Sequence, residues 1–270
     1  MPRPLDVTSS RLKIDRAHER RNALNTEFLT FLSSHPYDIT AHFDRDKSEV
    51  VVEAIVRKNP DPMWSVAVGE ILHDIRSSLD HLVWQLVGAN RGRLLPVHVP
   101  RKSPWTKLQY PLVGKAGEFT NRKGTWLNGV SPAAQKMIES TQPYAGRHNS
   151  RSRALRLLRD LSNIDKHRML HLLGGISEER GPGSDIRVED AMVEAGRLRS
   201  GPFEDGAELG RFAIRRVGKG KPKVYVEPNL TFDIAFDKRG PGKGRSVMIV
   251  LMSTTHEVAS VISDFEAAFG

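Results

Sequence analysis

Residues 71–86 read ILHDIRSSLDHLVWQL, and this stretch decides the fold because it places charged residues where a helix should be apolar. At about 100° per residue one apolar stripe forms, while Trp84 and Val87 lie on the other side with Arg76 and Asp80. The stripe consists of Ile71, Ile75, Leu79, Leu82 and Leu86. The spacing predicts a helix over residues 62–89 that is buried on both sides. Arg76 and Asp80 should then lie in the interior or in a cleft.

A second charged stretch, LSNIDKHR at residues 161–168, lies in a predicted helix over residues 150–173. Asp165 and Arg168 fall inside its apolar arc, with Asn163, Lys166 and His167 outside the arc or at its edges. Buried charges need partners, so Arg76 should pair with Asp165 and Asp80 with Arg168, as bridges that hold the helices in register. Alternatively, these residues form a shared active site, since such clusters also perturb pKa values.

The other segments predict an α+β fold in a single domain, residues 1–270. Residues 1–175 should be mostly helical, with a β-hairpin at about 38–57, and residues 176–270 should be β-rich. Helices are expected over residues 10–32 and 132–140, a long loop over 90–130, and a terminal helix over 256–269. Strands at about 186–194, 208–217, 223–236 and 245–254 should form an antiparallel meander, with turns at residues 219–222 and 240–244.

Positive charge is concentrated in two parts of the chain, which has a formal net charge of +9. Residues 90–123 carry +7 and residues 145–171 carry +5, a distribution that suits a phosphate-rich partner such as RNA. A solvated basic surface is the alternative. The residues expected to contact nucleic acid are Arg147, Arg151, Arg153 and Arg156.

The absence of cysteine excludes disulfides and thiol catalysis. No export signal follows Met1 and no apolar run is long enough to span a bilayer, so a cytoplasmic location without membrane association is expected. Walker, Rossmann, nucleophile-elbow and HExxH motifs are missing as well. We therefore expect no cofactor and no metal site.

RSSLDH, residues 76–81, resembles the R-x4-H motif of HEPN-type ribonucleases, a group of all-helical toxins and defence nucleases. Its pairing with the later NIDKHR, residues 163–168, also resembles a family of uncharacterised bacterial proteins with LRSxLDH and NxDKHR helices. The HEPN resemblance implies metal-independent RNA cleavage across a homodimer. His81 would act as base or acid and Arg76 would hold the phosphate, while His167 is the second candidate catalytic histidine.

Three functions are compatible with these features. One is an RNA-cleaving or RNA-binding protein related to toxins or defence factors, in which Asp80, Asn163, Asp165, Lys166 and Arg168 support catalysis. Another is a non-catalytic nucleic-acid-binding module. The last is a protein-interaction domain whose buried ion pairs are structural.

Overall fold

The computed structural model describes residues 3–44, 46–96, 98–146, 149–176, 185–217, 223–227 and 231–270, with only the backbone at 185–188, 197 and 223–227. Helices and antiparallel strands are both present, so the predicted α+β class is confirmed. The helices are α1 Thr8–Ser33, α2 Met63–Arg91, α3 Ala116–Trp126, α4 Pro132–Ser140, α5 Ser150–Asp165 and α6 Val247–Phe269. The strands are β1 Tyr37–Asp44, β2 Glu49–Val56, β3 Leu172–Ile176, β4 Asp185–Glu189, β5 Ala191–Leu198, β6 Gly201–Phe203, β7 Glu208–Arg216, β8 Lys223–Glu227 and β9 Phe232–Phe236.

The chain divides into two compact units that are not continuous in sequence. The first unit is Met1–Ala23, Val66–Leu170 and Ile249–Gly270, and it contains most of the helical residues. The second is Leu24–Ser65 and His171–Met248, and it contains every strand of the described chain. The N-terminal hairpin thus belongs to the same unit as the C-terminal strands.

The α2 helix forms as predicted, and its start is fixed by Asp61. The Asp61 carboxylate accepts a hydrogen bond from the Met63 N–H at 2.8 Å, and Pro62 adds no unpaired donor to the first turn. The apolar stripe is fully buried in the first unit, and Val87 on the other side is buried too. The second side is only partly buried, because Trp84 is half-buried and His73 is exposed.

The second unit is built on an antiparallel sheet with the order β1-β2-β7-β5. The predicted hairpin is confirmed, with Tyr37 paired to Val56 at its open end. A simple C-terminal meander is wrong, because β7 pairs with both β2 and β5. The strand predicted over 223–236 is instead β8, which pairs with β4, and β9, which pairs with β3. The predicted turn at residues 219–222 lies outside the described residues.

The α5 helix ends at Asp165, eight residues before the predicted end. Residues 172–176 form β3, between β6 and β9, and Gly174 and Gly175 lie within this strand. Both positions need glycine because a side chain there would collide with a neighbouring side chain. A Cβ at Gly174 would lie 2.6 Å from the ring of Tyr37, and one at Gly175 would lie 2.9 Å from the Ala235 side chain.

Two other predictions are corrected. Residues 247–254 begin α6 rather than forming a strand, since Val247, Val250 and Leu251 start a buried stripe of helical spacing that continues to Phe265.

The region 90–130 is not all loop. It contains a 3₁₀ turn at Pro104–Lys107, capped by the Ser103 side chain, and α3, which is anchored by the buried Phe119. Within the described part of the chain, no helix is both long and apolar enough to cross a membrane.

Gly69 on α2 leaves room for the Asp165 side chain of α5. A Cβ at this position would lie 2.1 Å from an Asp165 carboxylate oxygen. Gly69→Ala should therefore lower the free energy of unfolding by about 1–3 kcal/mol, measured by urea denaturation. Gly124→Ala in α3 is the control, because a Cβ there has no atom within 4 Å and alanine favours a helix by about 1 kcal/mol. Equal effects of the two substitutions would contradict this account.

Arg151 joins α5 to α6. Its guanidinium lies 2.8 Å from Asp264 and 3.7 Å from Glu257, and it donates to Ser260 at 2.9 Å. Arg151→Met should destabilise the fold by about 1–3 kcal/mol in the same measurement, since two partly buried carboxylates lose their cation. Lys136→Met on the exposed side of α4 is the control. A loss no larger than the control's would show that this network contributes no stability.

Candidate nucleic-acid-binding cleft

Arg76 and Asp80 hold the backbone of Tyr110 between them. Arg76 Nη2 donates to the Tyr110 carbonyl at 2.5 Å, and the Tyr110 N–H donates to Asp80 Oδ1 at 2.7 Å. Arg76 and Asp80 lie one helical turn apart on α2, with 3.8 Å between their charged groups. This pair, which we call the Tyr110 clamp, fixes the backbone of Tyr110 against α2.

Burial shifts both charged groups of the Tyr110 clamp. It lowers the pKa of Arg76, and the Asp80 carboxylate opposes that shift. It raises the pKa of Asp80, opposed by Arg76 and by the Tyr110 N–H. The Tyr110 side chain is fully buried and its hydroxyl hydrogen-bonds with Thr141. Burial raises the pKa of this hydroxyl far above its usual value, so it stays protonated.

The segment held by the clamp forms one wall of a cleft. The Val113 N–H donates to the buried Gln142 side chain at 3.2 Å, and the Gly114 N–H donates to Glu118 at 3.2 Å. Gly114 lets Arg159 approach closely, because a Cβ there would lie 2.5 Å from Arg159 Nη1. The guanidinium of Arg159 therefore lies directly against this wall.

Helix α3 supplies a second wall. Glu118, Arg122 and Trp126 follow at four-residue intervals and share one face of the helix, while Phe119 anchors another face in the core. The Arg122 guanidinium lies over the indole ring of Trp126, 4.6 Å from its centre. This face therefore presents a cation stacked on an aromatic ring, an arrangement that also suits a nucleic-acid base.

Helix α5 and its C-terminal cap supply the third wall. Arg159, Ser162, Asn163 and Lys166 line the cleft at helical spacing. Arg159 is paired with Asp160 at 2.7 Å. Asn163 and Lys166, near the C-terminal end of the helix, are exposed. The cleft has a volume of about 730 Å³, and the described residues line it with five cationic side chains and one carboxylate. The lining residues are Arg76, Gln109, Leu112, Val113, Gly114, Lys115, Glu118, Arg122, Trp126, Arg159, Ser162, Asn163 and Lys166.

The structure separates the predicted arginine from the predicted histidines. Arg76 lines the cleft but His81 does not, since five residues on a regular helix turn the chain by about 140° beyond a full turn. His81 is half-buried near Lys13 and Asp80. Burial, and to a lesser extent the charge of Lys13, lowers the pKa of its imidazole. His167 is exposed in the turn after α5 and does not line the cleft either.

The ion pairs expected between α2 and α5 do not form. In the described chain, neither Arg76 with Asp165 nor Asp80 with Arg168 has charged atoms within 4.0 Å. The carboxylate of Asp165 lies instead against Gly69, where burial raises its pKa and His73 opposes the shift. Because α5 ends at Asp165, Arg168 leaves the helix and is exposed.

The arginines predicted to bind nucleic acid have different surroundings. Arg151 is engaged by α6, and Arg156 donates to the Pro143 carbonyl at 3.1 Å. Arg153 is exposed, and Arg147 lies outside the described residues. Sequence reasoning did not single out Lys115, Arg122, Trp126 or Arg159 as one group. One signal was present in the sequence: the four-residue spacing of Arg122 and Trp126 would bring these two side chains together on a helix.

Known types of site and known proteins give no further assignment. Across the residues that the structure describes, no three histidine, aspartate or glutamate side chains are grouped so that they could hold a metal ion. Searches against protein-family models, curated proteins and solved structures each found no match.

Proposed function

We propose that this protein binds RNA through the cleft formed by residues 109–115, α3 and α5. The observation that carries the proposal is the excess of positive charge in one concave site, where five cations accompany a single carboxylate among the described lining residues. Phosphate groups dominate the affinity of nucleic-acid binding, and arginine and lysine are their usual partners. RNA is preferred to DNA because of the HEPN resemblance. A cytoplasmic location belongs to the same proposal.

Binding without cleavage is the form of this function that the geometry favours. General acid–base catalysis needs a titrating side chain within hydrogen-bond reach of the reacting group. Neither His81 nor His167 lines the cleft, and Arg76 is engaged with Tyr110 and Asp80. The resemblance places Arg76 and His81 in one active site across a dimer, which is the alternative.

Removal of a cleft cation should weaken RNA binding and reduce its salt dependence. Lys166→Gln and Arg122→Gln should each bind a single-stranded 12-mer RNA several-fold more weakly at low salt. The slope of log K against log salt should fall by about 0.7 for each phosphate that the variant no longer neutralises. Lys136→Gln, which removes a cation from the exposed side of α4, should match the wild type. Absence of RNA binding by the wild type at low salt would refute the proposal.

The cleavage alternative has its own test. The wild-type protein should leave the 12-mer RNA intact in the presence of EDTA, because no histidine of the described chain lines the cleft. His81→Ala is the informative variant, since His81 takes no part in the Tyr110 clamp. RNA cleavage in EDTA by the wild type that disappears in His81→Ala would establish the nuclease and overturn the binding-only form.

A further inference from the structure

A second arginine–tryptophan stack lies outside the cleft. The guanidinium of Arg91, the last residue of α2, lies over the indole ring of Trp105, 4.8 Å from its centre. This arrangement repeats that of Arg122 over Trp126, where the distance is 4.6 Å. Both arginines are exposed, and both tryptophans are half-buried. Each stack therefore presents a planar cation to solvent, with an aromatic ring on its inner side.

The two stacks lie on neighbouring elements of the first unit. Trp105 is in the 3₁₀ turn Pro104–Lys107, which contacts α3. The Leu108 N–H donates to the Trp105 carbonyl at 3.1 Å, and the next N–H, that of Gln109, donates to the Trp126 carbonyl at 3.2 Å. Gln109 and Trp126 both line the cleft. A short stretch of backbone thus joins the outer stack to the wall of the cleft.

The chain that carries the outer stack is strongly basic. Residues 90–117 contain six arginines and lysines and no aspartate or glutamate. In the described chain, no carboxylate lies within 4.0 Å of the Arg91 or the Arg122 guanidinium. An aromatic ring, and not an acidic partner, therefore positions each guanidinium. The phosphates of a bound strand are attracted to this surface as well as to the cleft.

A guanidinium held over an aromatic ring suits the face of a nucleic-acid base. Proteins that recognise RNA stack unpaired bases on arginine guanidinium planes and on aromatic side chains. In a duplex, neighbouring bases cover both faces of each base, so a base is free to stack only in a single strand. Attraction of phosphates alone gives the opposite preference, because a duplex has the higher density of negative charge. The two stacks therefore favour a single strand, and the charge alone favours a duplex.

We propose that Arg91–Trp105 is a second base-stacking site and that the protein binds single-stranded RNA across both stacks, an inference that rests on the proposed function. One base stacks on the outer face of the Arg122 guanidinium in the cleft, and another stacks on the outer face of Arg91. Between them the strand passes Gln109 and crosses the 3₁₀ turn Pro104–Lys107.

The first experiment compares three RNAs by calorimetry at one low salt concentration. They are a single-stranded 12-mer without self-complementarity, the same strand paired with its complement, and an abasic 12-mer in which hydrogen replaces every base. The single strand should bind about 10-fold or more tightly than the abasic strand, because only the single strand has bases to stack. It should also bind more tightly than the duplex. One strand should bind to each protein molecule.

Arginine-to-lysine variants keep the positive charge and remove the planar group. Arg91→Lys and Arg122→Lys should each weaken binding of the single strand by about 3-fold or more, with an unchanged slope of log K against log salt. Neither variant should change the affinity for the abasic strand. Arg16→Lys on α1 is the matched control and should bind like the wild type, since Arg16 is an exposed helical arginine that pairs with Glu19 at 2.9 Å.

The outcomes separate this inference from the proposed function. Equal affinity for the single strand and the abasic strand, or tighter binding of the duplex, would overturn base stacking and leave RNA binding intact. A loss of affinity in Arg122→Lys without one in Arg91→Lys would overturn the second site. Binding of two strands to each protein would overturn the continuous path between the stacks. Absence of binding by all three RNAs would refute the proposed function itself.

Discussion

The cleft depends on the Tyr110 clamp. An arginine and an aspartate one turn apart on α2 bind both backbone polar groups of Tyr110, so this residue is fixed to a helix whose apolar stripe is buried. The loss of one partner would leave the other half-buried charge unpaired, which destabilises the fold. The ring of Tyr110 extends this anchorage to Thr141. Arg76 and Asp80, the charges that stand out in the sequence, therefore have a structural role.

Helical periodicity was enough to predict α2, its buried apolar stripe and the position of Arg76 in a cleft. The hairpin and α4 could be predicted as well, because valine-rich alternation and a serine–proline start are local signals. The end of α5 could not be predicted. Residues 172–176 become a strand because β6 and β9 flank them, which is non-local information. The segment 247–254 was predicted as a strand because it is rich in β-branched residues. Only its continuation to Phe265 shows the helical period.

The partner of each buried charge could not be predicted for a similar reason. Periodicity places a side chain on a face of its helix, but it does not say which backbone groups will lie opposite. Arg76 and Asp80 satisfy a loop that the sequence showed only as irregular, rather than the charges of α5. The same limit applies to the cleft cations, because α3 lay within a segment expected to be a loop.

Two glycines leave room for side chains of α5. At Gly69 the space of a missing methyl group is taken by Asp165, and at Gly114 by Arg159. The two contacts lie 6 residues apart on α5, so a single helix is brought close to two different segments. In related sequences these positions should therefore change in pairs. A larger residue at 69 should accompany a shorter one at 165, and a side chain at 114 should accompany the loss of Arg159. Such covariation would be a signature of the cleft that no motif search contains.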